Sequence, residues 1–236
     1  MYYGPATPQA VRTLGGFDLV VLHPTLYAAS DLKALREGGT RVLAYLSVGE
    51  DHAFGDTPCI PGSAAYHCAV NPQWGSVVVD AAHPGWRATL LNRAEQVLAH
   101  TDGLLLDTLD SADAAATLNL VSAVRATASG TVLMANRGFG LWPGLAQYIQ
   151  AVLFEAFSTT HSPLPAAHDQ QGLAYTAHWL GVLRAAGLPV FALDYAATPQ
   201  LAAFAQARAA QYAVPPFVTQ RDLTLPGGFQ SFPPSA

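Results

Sequence analysis

Two carboxylates at the ends of short apolar segments are the residues of this chain best suited to catalysis. Asp107 follows the leucines at 104–106, and Glu155 follows the apolar segment 152–154. Such a segment predicts a buried strand, where an ionised carboxylate is costly unless it is paired, hydrogen-bonded or reached by solvent. Asp107 could instead be a helix N-cap, since Asp caps helices well. Two carboxyl groups that flank a glycosidic bond can act as acid and as nucleophile or base.

Polar side chains also end the other predicted strands, although the strands themselves are almost uncharged. The chain has only 16 acidic residues, so their concentration at strand ends is informative. The alternative that involves no functional site is that loops after strands are generally polar and supply helix caps. The residues at these ends are Glu50 and Asp51 after the third strand, Asp107 and Asp110 after the fourth, Asn136 and Arg137 after the fifth, Glu155 after the sixth, and Asp194 and Tyr195 after the seventh.

Strand-like and helix-like segments alternate from Tyr2-Tyr3 to the segment 214–218. This alternation favours an α/β fold with parallel strands, and about eight strands in roughly 220 residues fit a (β/α)8 TIM barrel in a single domain. We expect that domain to span residues 1–223, followed by a Pro/Gly-rich tail over 224–236. A doubly wound open sheet is the alternative, but no Gly-rich dinucleotide fingerprint follows the first strands. A barrel would place the polar strand ends on one rim.

The amino-acid composition limits the classes of molecule that this protein is expected to bind. Apolar residues make up 51% of the 236 residues, charged residues make up 11%, and the net charge is −5. With Lys33 as the one lysine there is no basic stripe, so nucleic acid is not an expected partner. No apolar segment approaches the roughly 18 residues of a membrane span, and the N-terminus lacks the pattern of a signal peptide. We expect a monomer in the extracellular space or cell envelope, with the cytoplasm left open.

The two cysteines, Cys59 and Cys68, lie in a Pro/Gly-rich loop predicted over residues 52–76. Their confinement to one loop is compatible with a disulfide, which would suit an exported protein. Free thiols are the alternative, and the sequence leaves the two open.

No cofactor or resident metal is expected, because the histidines form no His-x-x-x-His or His-Glu-x-x-His pattern. A serine hydrolase is not supported either, because the chain lacks Gly-x-Ser-x-Gly. A weaker alternative is a metal-assisted hydrolase built on Glu50, Asp51 and His52. His161 and His168 follow Glu155 and could contact substrate, or be ordinary surface histidines.

Aromatic residues near the predicted rim would suit a sugar polymer, because aromatic faces stack on sugar rings and carboxylates accept hydrogen bonds from hydroxyls. Each of them could equally be a core residue. A carbohydrate-binding barrel without catalytic activity is therefore the alternative from a different functional class. The aromatic residues are Tyr45, Trp74, Trp86, Phe157 and Tyr195.

Five stretches carry a resemblance to a known family: Phe17-Asp-Leu-Val-Val-Leu22, Ala44-Tyr-Leu-Ser-Val-Gly-Glu50, Gly103-Leu-Leu-Leu-Asp-Thr-Leu-Asp110, Met134-Ala-Asn-Arg-Gly138 and Leu153-Phe-Glu-Ala-Phe157. With these motifs the chain resembles the endo-α-1,4-polygalactosaminidase-like glycoside hydrolases, a TIM-barrel family that cleaves galactosamine-containing polysaccharides.

The resemblance implies Asp107 as catalytic nucleophile and Glu155 as general acid/base, with retention of configuration. It also implies that five further residues line the sugar site, and Tyr195 joins them from its place at a strand end. The five are Tyr45, Glu50, Asp110, Asn136 and Asp194.

The chain departs from the family pattern in three places. His23 stands after the second strand where an acidic residue is expected, and the cysteine-containing loop resembles an insertion. The aromatic-rich segment expected after Gly49-Glu50 is replaced by Asp51-His-Ala-Phe-Gly55.

Overall fold

The computed structural model describes residues 1–229, which form six α-helices, twelve strands and three short 3-10 helices. The α-helices are α1 (Pro8–Leu14), α2 (Ala29–Glu37), α3 (Pro84–Leu98), α4 (Ala114–Thr127), α5 (Gln170–Ala185) and α6 (Pro199–Gln211). The strands are β1 (Leu19–Leu22), β2 (Arg41–Ser47), β3 (Glu50–Asp51), β4 (His67–Asn71), β5 (Ser76–Val79), β6 (Gly103–Asp107), β7 (Val132–Asn136), β8 (Ala151–Glu155), β9 (Thr159–Thr160), β10 (Ala166–Ala167), β11 (Val190–Tyr195) and β12 (Pro216–Thr219). The 3-10 helices span Pro24–Leu26, Phe139–Leu141 and Gly144–Gln147.

Seven strands form a parallel sheet in the order β1-β2-β6-β7-β8-β11-β12. The N-terminus fills the eighth position of the barrel. The Tyr2 N–H donates to the Val21 carbonyl at 2.9 Å, and the Tyr3 N–H donates to the Leu223 carbonyl at 2.9 Å. These two residues thus join β1 to the segment that follows β12. The predicted (β/α)8 barrel is confirmed.

The barrel strands are buried on both faces, which explains why they are apolar at nearly every position. In β6, Leu105 packs inside the barrel against Leu43 and Met134. Leu104 and Leu106 belong instead to the outer core between the strands and the helices. Because side chains alternate along a strand, Asp107 shares the inner face with Leu105.

A small antiparallel sheet interrupts the alternation after β2, where the sequence suggested one long loop. Its strand order is β3-β5-β4, so the segment predicted as loop contains β4 and ends at the start of β5. Cys59 is half-buried and Cys68 is exposed, and both are free thiols. The disulfide considered above is therefore not formed in this structure.

The first residues of the predicted tail pack against the barrel. The Phe229 N–H donates to the Val218 carbonyl of β12 at 2.7 Å, and Phe229 packs on the small core between α6 and β12. The remainder, residues 230–236, lies outside the described part of the chain, so the domain boundary at 223 stays a prediction. Between residues 1 and 229, no helix combines the length and apolar character that crossing a bilayer requires.

Gly103 begins β6 at a point where two strands approach too closely for a side chain. A Cβ atom at this position would collide with the Val132 backbone, including its carbonyl oxygen. Backbone atoms of a paired strand cannot move aside locally. Glycine is therefore required for the register that carries Asp107.

We predict that Gly103→Ala lowers the free energy of unfolding by about 1–3 kcal/mol, because overpacking displaces β7. Gly181→Ala in α5 is the matched control, since nothing lies within 4 Å of a Cβ there. It should raise stability by about 0.5–1 kcal/mol, because alanine is the better helix former. Urea unfolding of both variants measures the difference. Equal stability of the two variants would contradict the register argument.

Candidate active site

Three neighbouring barrel strands end in the polar residues Asp107 (β6), Asn136 (β7) and Glu155 (β8). In each case the next residue has a positive φ although it is not glycine, a conformation that costs about 1 kcal/mol or more and is frequent at functional sites. This repeated turn redirects the chain immediately after the functional side chain. The residues concerned are Thr108 (φ 57°), Arg137 (φ 52°) and Ala156 (φ 55°).

The Asn136 amide joins the two carboxylates. Its Nδ2 donates to Asp107 Oδ1 at 2.8 Å and to Glu155 Oε2 at 2.6 Å. The two oxygens share one nitrogen, so they lie no farther apart than the sum of these lengths, about 5.4 Å, an upper bound compatible with a retaining carboxyl pair. The structure thus brings Asp107, Asn136 and Glu155 together at one rim of the barrel.

Two tyrosines lie beside the pair. The Tyr195 hydroxyl donates to Glu155 Oε1 at 2.6 Å, and the half-buried Tyr45 lines the same cleft beside Asp107. Burial raises the pKa of both phenols well above the usual value, and the nearby carboxylates raise it further. Both tyrosines therefore stay protonated and act as donors over the whole physiological pH range.

Burial, followed by the negative charge of Glu155, raises the pKa of Asp107 to about 6. The Thr108 N–H and the Asn136 amide oppose this shift by donating hydrogen bonds to the ionised form. The charge of Glu155 thus opposes ionisation of Asp107. Carboxyl groups with a pKa perturbed by burial and a neighbouring charge are frequent at sites of acid–base chemistry.

A cleft of about 500 Å³ opens above the pair, and Tyr45, Asp107, Glu155 and Tyr195 line it. This volume lies within the ordinary range of ligand sites. Trp74 also lines the cleft and is exposed. The other two aromatic residues considered for sugar stacking, Trp86 and Phe157, are fully buried and belong to the core.

Neutral imidazoles form one wall of the cleft. The His23 ring stacks on Tyr45 with centroids 5.8 Å apart, and His52 lies edge-on to His23 at 5.4 Å. Burial lowers the pKa of His23 to about 4, and the neighbouring His52 contributes to the shift. Burial likewise lowers the pKa of His52. Where the family pattern has an acidic residue, this chain therefore presents an uncharged ring.

Tyr3 is a cleft residue that the sequence reasoning did not single out. Its ring lies 5.2 Å from the ring of Tyr45, and it lines the same cavity. The sequence does contain a signal for this placement, because Tyr2-Tyr3 is the first predicted strand and alternation directs one of the two side chains into the barrel. Four further cleft residues were missed, because they come from the added β4–β5 hairpin or from loops and had no such signal: Asn71, Ser76, Ser111 and Arg221.

Glu50 lines the cleft as expected, but both of its carboxylate oxygens are already engaged. Asn71 Nδ2 lies 3.2 Å from each oxygen, and Ser111 Oγ donates to Oε1 at 2.7 Å. Ser76 Oγ donates to Oε2. The side chain is buried, so its hydrogen-bonding capacity is directed to the protein rather than to the cleft.

Asp110 and Asp194 do not line the cleft, which corrects the expectation that they contact sugar. Asp110 is exposed, and its Oδ1 accepts the Gly140 N–H at 3.2 Å. Asp194 is buried, and its Oδ1 accepts the N–H groups of Ser158 and Thr159 at 2.6 and 2.9 Å. Alternation explains the second case, since Tyr195 faces the barrel interior and its neighbour must face outward. Asp194 positions the loop after β8.

The triplet considered for a metal site does not converge. Glu50 faces the cleft, whereas Asp51 faces away from it and pairs with Arg93 at 2.8 Å and with His67 at 2.9 Å. His52 Nδ1 lies 2.7 Å from its neighbouring carbonyl oxygen of Ala53. The described geometry therefore gives no support to a metal-assisted hydrolase built on this triplet.

The two histidines after Glu155 have different surroundings. His161 lines the cleft, and its ring lies 5.8 Å from that of Tyr195. His168 Nε2 lies 2.8 Å from the Ala156 carbonyl oxygen and is occupied by that contact.

A family model of glycoside-hydrolase family GH114 matches residues 3–232. The chain belongs to glycoside-hydrolase family GH114. Among solved structures, the glycoside hydrolase domain of PelA from Pseudomonas aeruginosa is 31% identical, with 94% of each chain covered and a TM-score of 0.81. The resemblance inferred from the sequence motifs is thereby confirmed at the level of the family.

Two more distant relatives match most of the chain. Ega3 from Aspergillus fumigatus, solved in complex with galactosamine, is 16% identical and has a TM-score of 0.72, with 94% of this chain and 89% of that chain covered. A protein of Deinococcus radiodurans is 28% identical, with 94% of this GH114 chain and 78% of that protein covered. The likeness to Ega3 shows the barrel fold alone.

We predict that Asp107→Asn stabilises the protein at neutral pH. The folded-state pKa of Asp107 is raised from 3.8 to about 6, so ionising it costs stability above pH 6 and costs nothing below pH 4. The variant should gain about 1–3 kcal/mol at pH 7–8, and the gain should disappear as the pH falls below about 4. Urea unfolding at several pH values measures this.

Exposed Asp110→Asn is the matched control and should change stability little at any pH. A pH-independent loss of stability in Asp107→Asn would show that burial and the charge of Glu155 do not destabilise the ionised carboxylate.

Proposed function

We propose that this glycoside hydrolase is a retaining, endo-acting enzyme that cleaves α-1,4-linked galactosamine or N-acetylgalactosamine polysaccharide. The observation that carries the proposal is the Asn136 amide, which holds one oxygen of Asp107 and one of Glu155 within about 5.4 Å of each other. An inverting pair needs carboxyl groups about 6.5–9.5 Å apart to admit a water molecule, so this bridged arrangement favours retention.

In the first step, Glu155 donates its proton to the glycosidic oxygen as the bond to the anomeric carbon breaks. Asp107 attacks that carbon from the opposite face and forms a glycosyl ester. In the second step, Glu155 removes a proton from a water molecule, and the water oxygen displaces Asp107 from the anomeric carbon. Two inversions give net retention, and both carboxyl groups return to their initial states.

The neighbouring donors suit these roles. Asn136 donates to Asp107 and thereby orients its carboxylate for attack, and it stabilises the charge that returns when the ester breaks; the protonated Tyr45 lies beside the same carboxylate. Tyr195 and Asn136 donate to Glu155, leaving the proton of its neutral form free to point toward the leaving oxygen. Neither tyrosine needs to change its protonation state during the cycle.

Three features support the substrate class. The chain belongs to family GH114, and the structurally similar Ega3 was solved with galactosamine bound. The cleft has room for more than one sugar ring and is rich in carboxylates, which attract the ammonium group of galactosamine. The neutral wall of His23 and His52 would accommodate an acetamido group as well. A monomer acting on extracellular or cell-envelope polysaccharide fits this substrate.

We predict that Asp107→Asn and Glu155→Gln each reduce cleavage by at least about 1,000-fold while the protein stays folded, because each removes one partner of the two-step displacement. The measurement is product release from partially N-acetylated α-1,4-galactosamine polymer, with NMR of the anomeric proton during the first turnovers. The wild-type enzyme should release the α-anomer first, and Asp110→Asn should retain wild-type activity.

Initial release of the β-anomer would contradict retention. Binding of the polymer by the wild-type protein without any product would instead identify a carbohydrate-binding barrel.

A further inference from the structure

The hairpin formed by β4 and β5 reaches from outside the barrel into the cleft. Its strands pair at Asn71 and Ser76, and residues 72–75 form the turn between them. Asn71, Trp74 and Ser76 all line the cleft that contains the carboxylate pair. The hairpin is thus an addition to the barrel that contributes directly to the wall of the active site.

A single buried carboxylate fixes the base of this hairpin. Glu50 accepts hydrogen bonds from Asn71 and Ser76, the two residues that face each other where the strands meet the turn. It also accepts a bond from Ser111, which lies in the loop after β6. Hydrogen bonds to a buried charge are among the stronger ones in proteins, so they hold the hairpin in one position relative to the catalytic strands.

The side chain that this arrangement positions is Trp74 at the turn. The Arg221 guanidinium lies 5.1 Å from the indole centroid, and the His161 ring lies 5.8 Å from it at an angle of 36°. His161 in turn lies 5.8 Å from Tyr195, which donates to Glu155. Trp74 is therefore separated from the carboxylate pair by two rings, those of His161 and Tyr195, and side chains from two other loops hold it in place.

About half of Trp74 nevertheless remains accessible, with an exposed fraction of 52%. A large aromatic surface that is oriented by a cation–π contact, yet left open to a polar cleft, provides an apolar face for a ligand. The C–H faces of a sugar ring have the matching shape and polarity. Since the contacts among the described residues connect Trp74 to Glu155 only by way of His161 and Tyr195, such a ring would bind outside the bond that is cleaved.

We propose that Trp74 is a sugar-stacking platform for a unit of the polysaccharide outside the cleaved bond, and that Glu50 is the positioning residue that holds the platform in place. The inference deepens the proposed function and depends on it. Under this proposal, the hairpin gives the enzyme its preference for a polymer over a short substrate. Glu50 acts through Trp74 and makes no contact with sugar.

The test compares KM and kcat for two probes: a partially N-acetylated α-1,4-galactosamine polymer and the corresponding disaccharide glycoside with an aryl leaving group. Trp74→Ala should raise KM for the polymer about tenfold, and Trp74→Phe should restore most of the affinity. KM for the short probe and kcat for both should change by less than about threefold. Tyr175→Ala, which removes an exposed aromatic residue from α5, is the matched control and should leave KM for the polymer unchanged.

Glu50→Gln and Ser76→Ala test the positioning role, with Ser76→Ala as the milder change if Glu50→Gln folds poorly. Each should raise KM for the polymer selectively, and neither should have a further effect when combined with Trp74→Ala. A structural defect unrelated to Trp74 would instead add to that of Trp74→Ala and lower kcat for the short probe.

The outcomes distinguish failure of the proposed function from failure of the roles proposed for Trp74 and Glu50. If the wild-type protein cleaves neither probe, the proposed function fails. If it cleaves both and Trp74→Ala leaves KM for the polymer unchanged, the catalytic proposal stands and the platform is refuted. Additive effects of Glu50→Gln and Trp74→Ala would refute the positioning role alone.

Discussion

The hydrogen bonds from one amide nitrogen to two carboxylates are the interaction on which the rest of this site depends. Asp107 and Glu155 end apolar strands, and their charges repel each other across a short distance. Without a donor between them, the pair would separate or bind an additional proton. Asn136, from the strand between theirs, supplies that donor and sets the spacing. The proposed nucleophile and the proposed acid are thus placed by a residue that does no covalent chemistry.

The barrel makes this arrangement possible through simple periodicity. Leu105, Met134 and Leu153 fill the interior of three adjacent strands, and the functional residues follow two positions later on the same face. The glycine at the start of β6 fixes the register of the first of these strands. The left-handed residues that follow each strand then turn the chain away, so that the cleft stays open above the pair. The same alternation along the strands therefore determines both the packing of the core and the positions of the functional side chains.

Much of the fold and of the candidate site could be predicted from sequence, because the alternation of side chains along a strand and the polar residues at strand ends are local signals. The barrel, the pair of Asp107 and Glu155, and the presence of Tyr45, Asn136 and Tyr195 beside it follow from alternation along apolar segments together with the family resemblance. Asp194 was misplaced even though the same rule excludes it, since it neighbours an inward-facing residue. Asp110 was misplaced because nothing local shows which way a side chain points after a strand has ended.

The role of Glu50 depends on contacts that no local pattern records. Its partners Asn71 and Ser76 belong to a hairpin that the sequence presented as loop, and Ser111 comes from a loop about sixty positions away. The same hairpin decides that Trp74 is exposed in the cleft while Trp86 is core. Insertions of this kind are where members of one barrel family can differ in substrate preference, since the barrel itself leaves the rim free to vary.

The most direct test of the account is mass spectrometry of the glycosyl-enzyme intermediate. Glu155→Gln should accumulate it when supplied with an α-galactosaminyl fluoride, because fluoride leaves without acid catalysis while hydrolysis of the ester lacks its base. Peptide mapping should then locate one sugar on Asp107. A sugar on another residue, or release of an inverted product with no intermediate, would contradict the proposed chemistry of the pair.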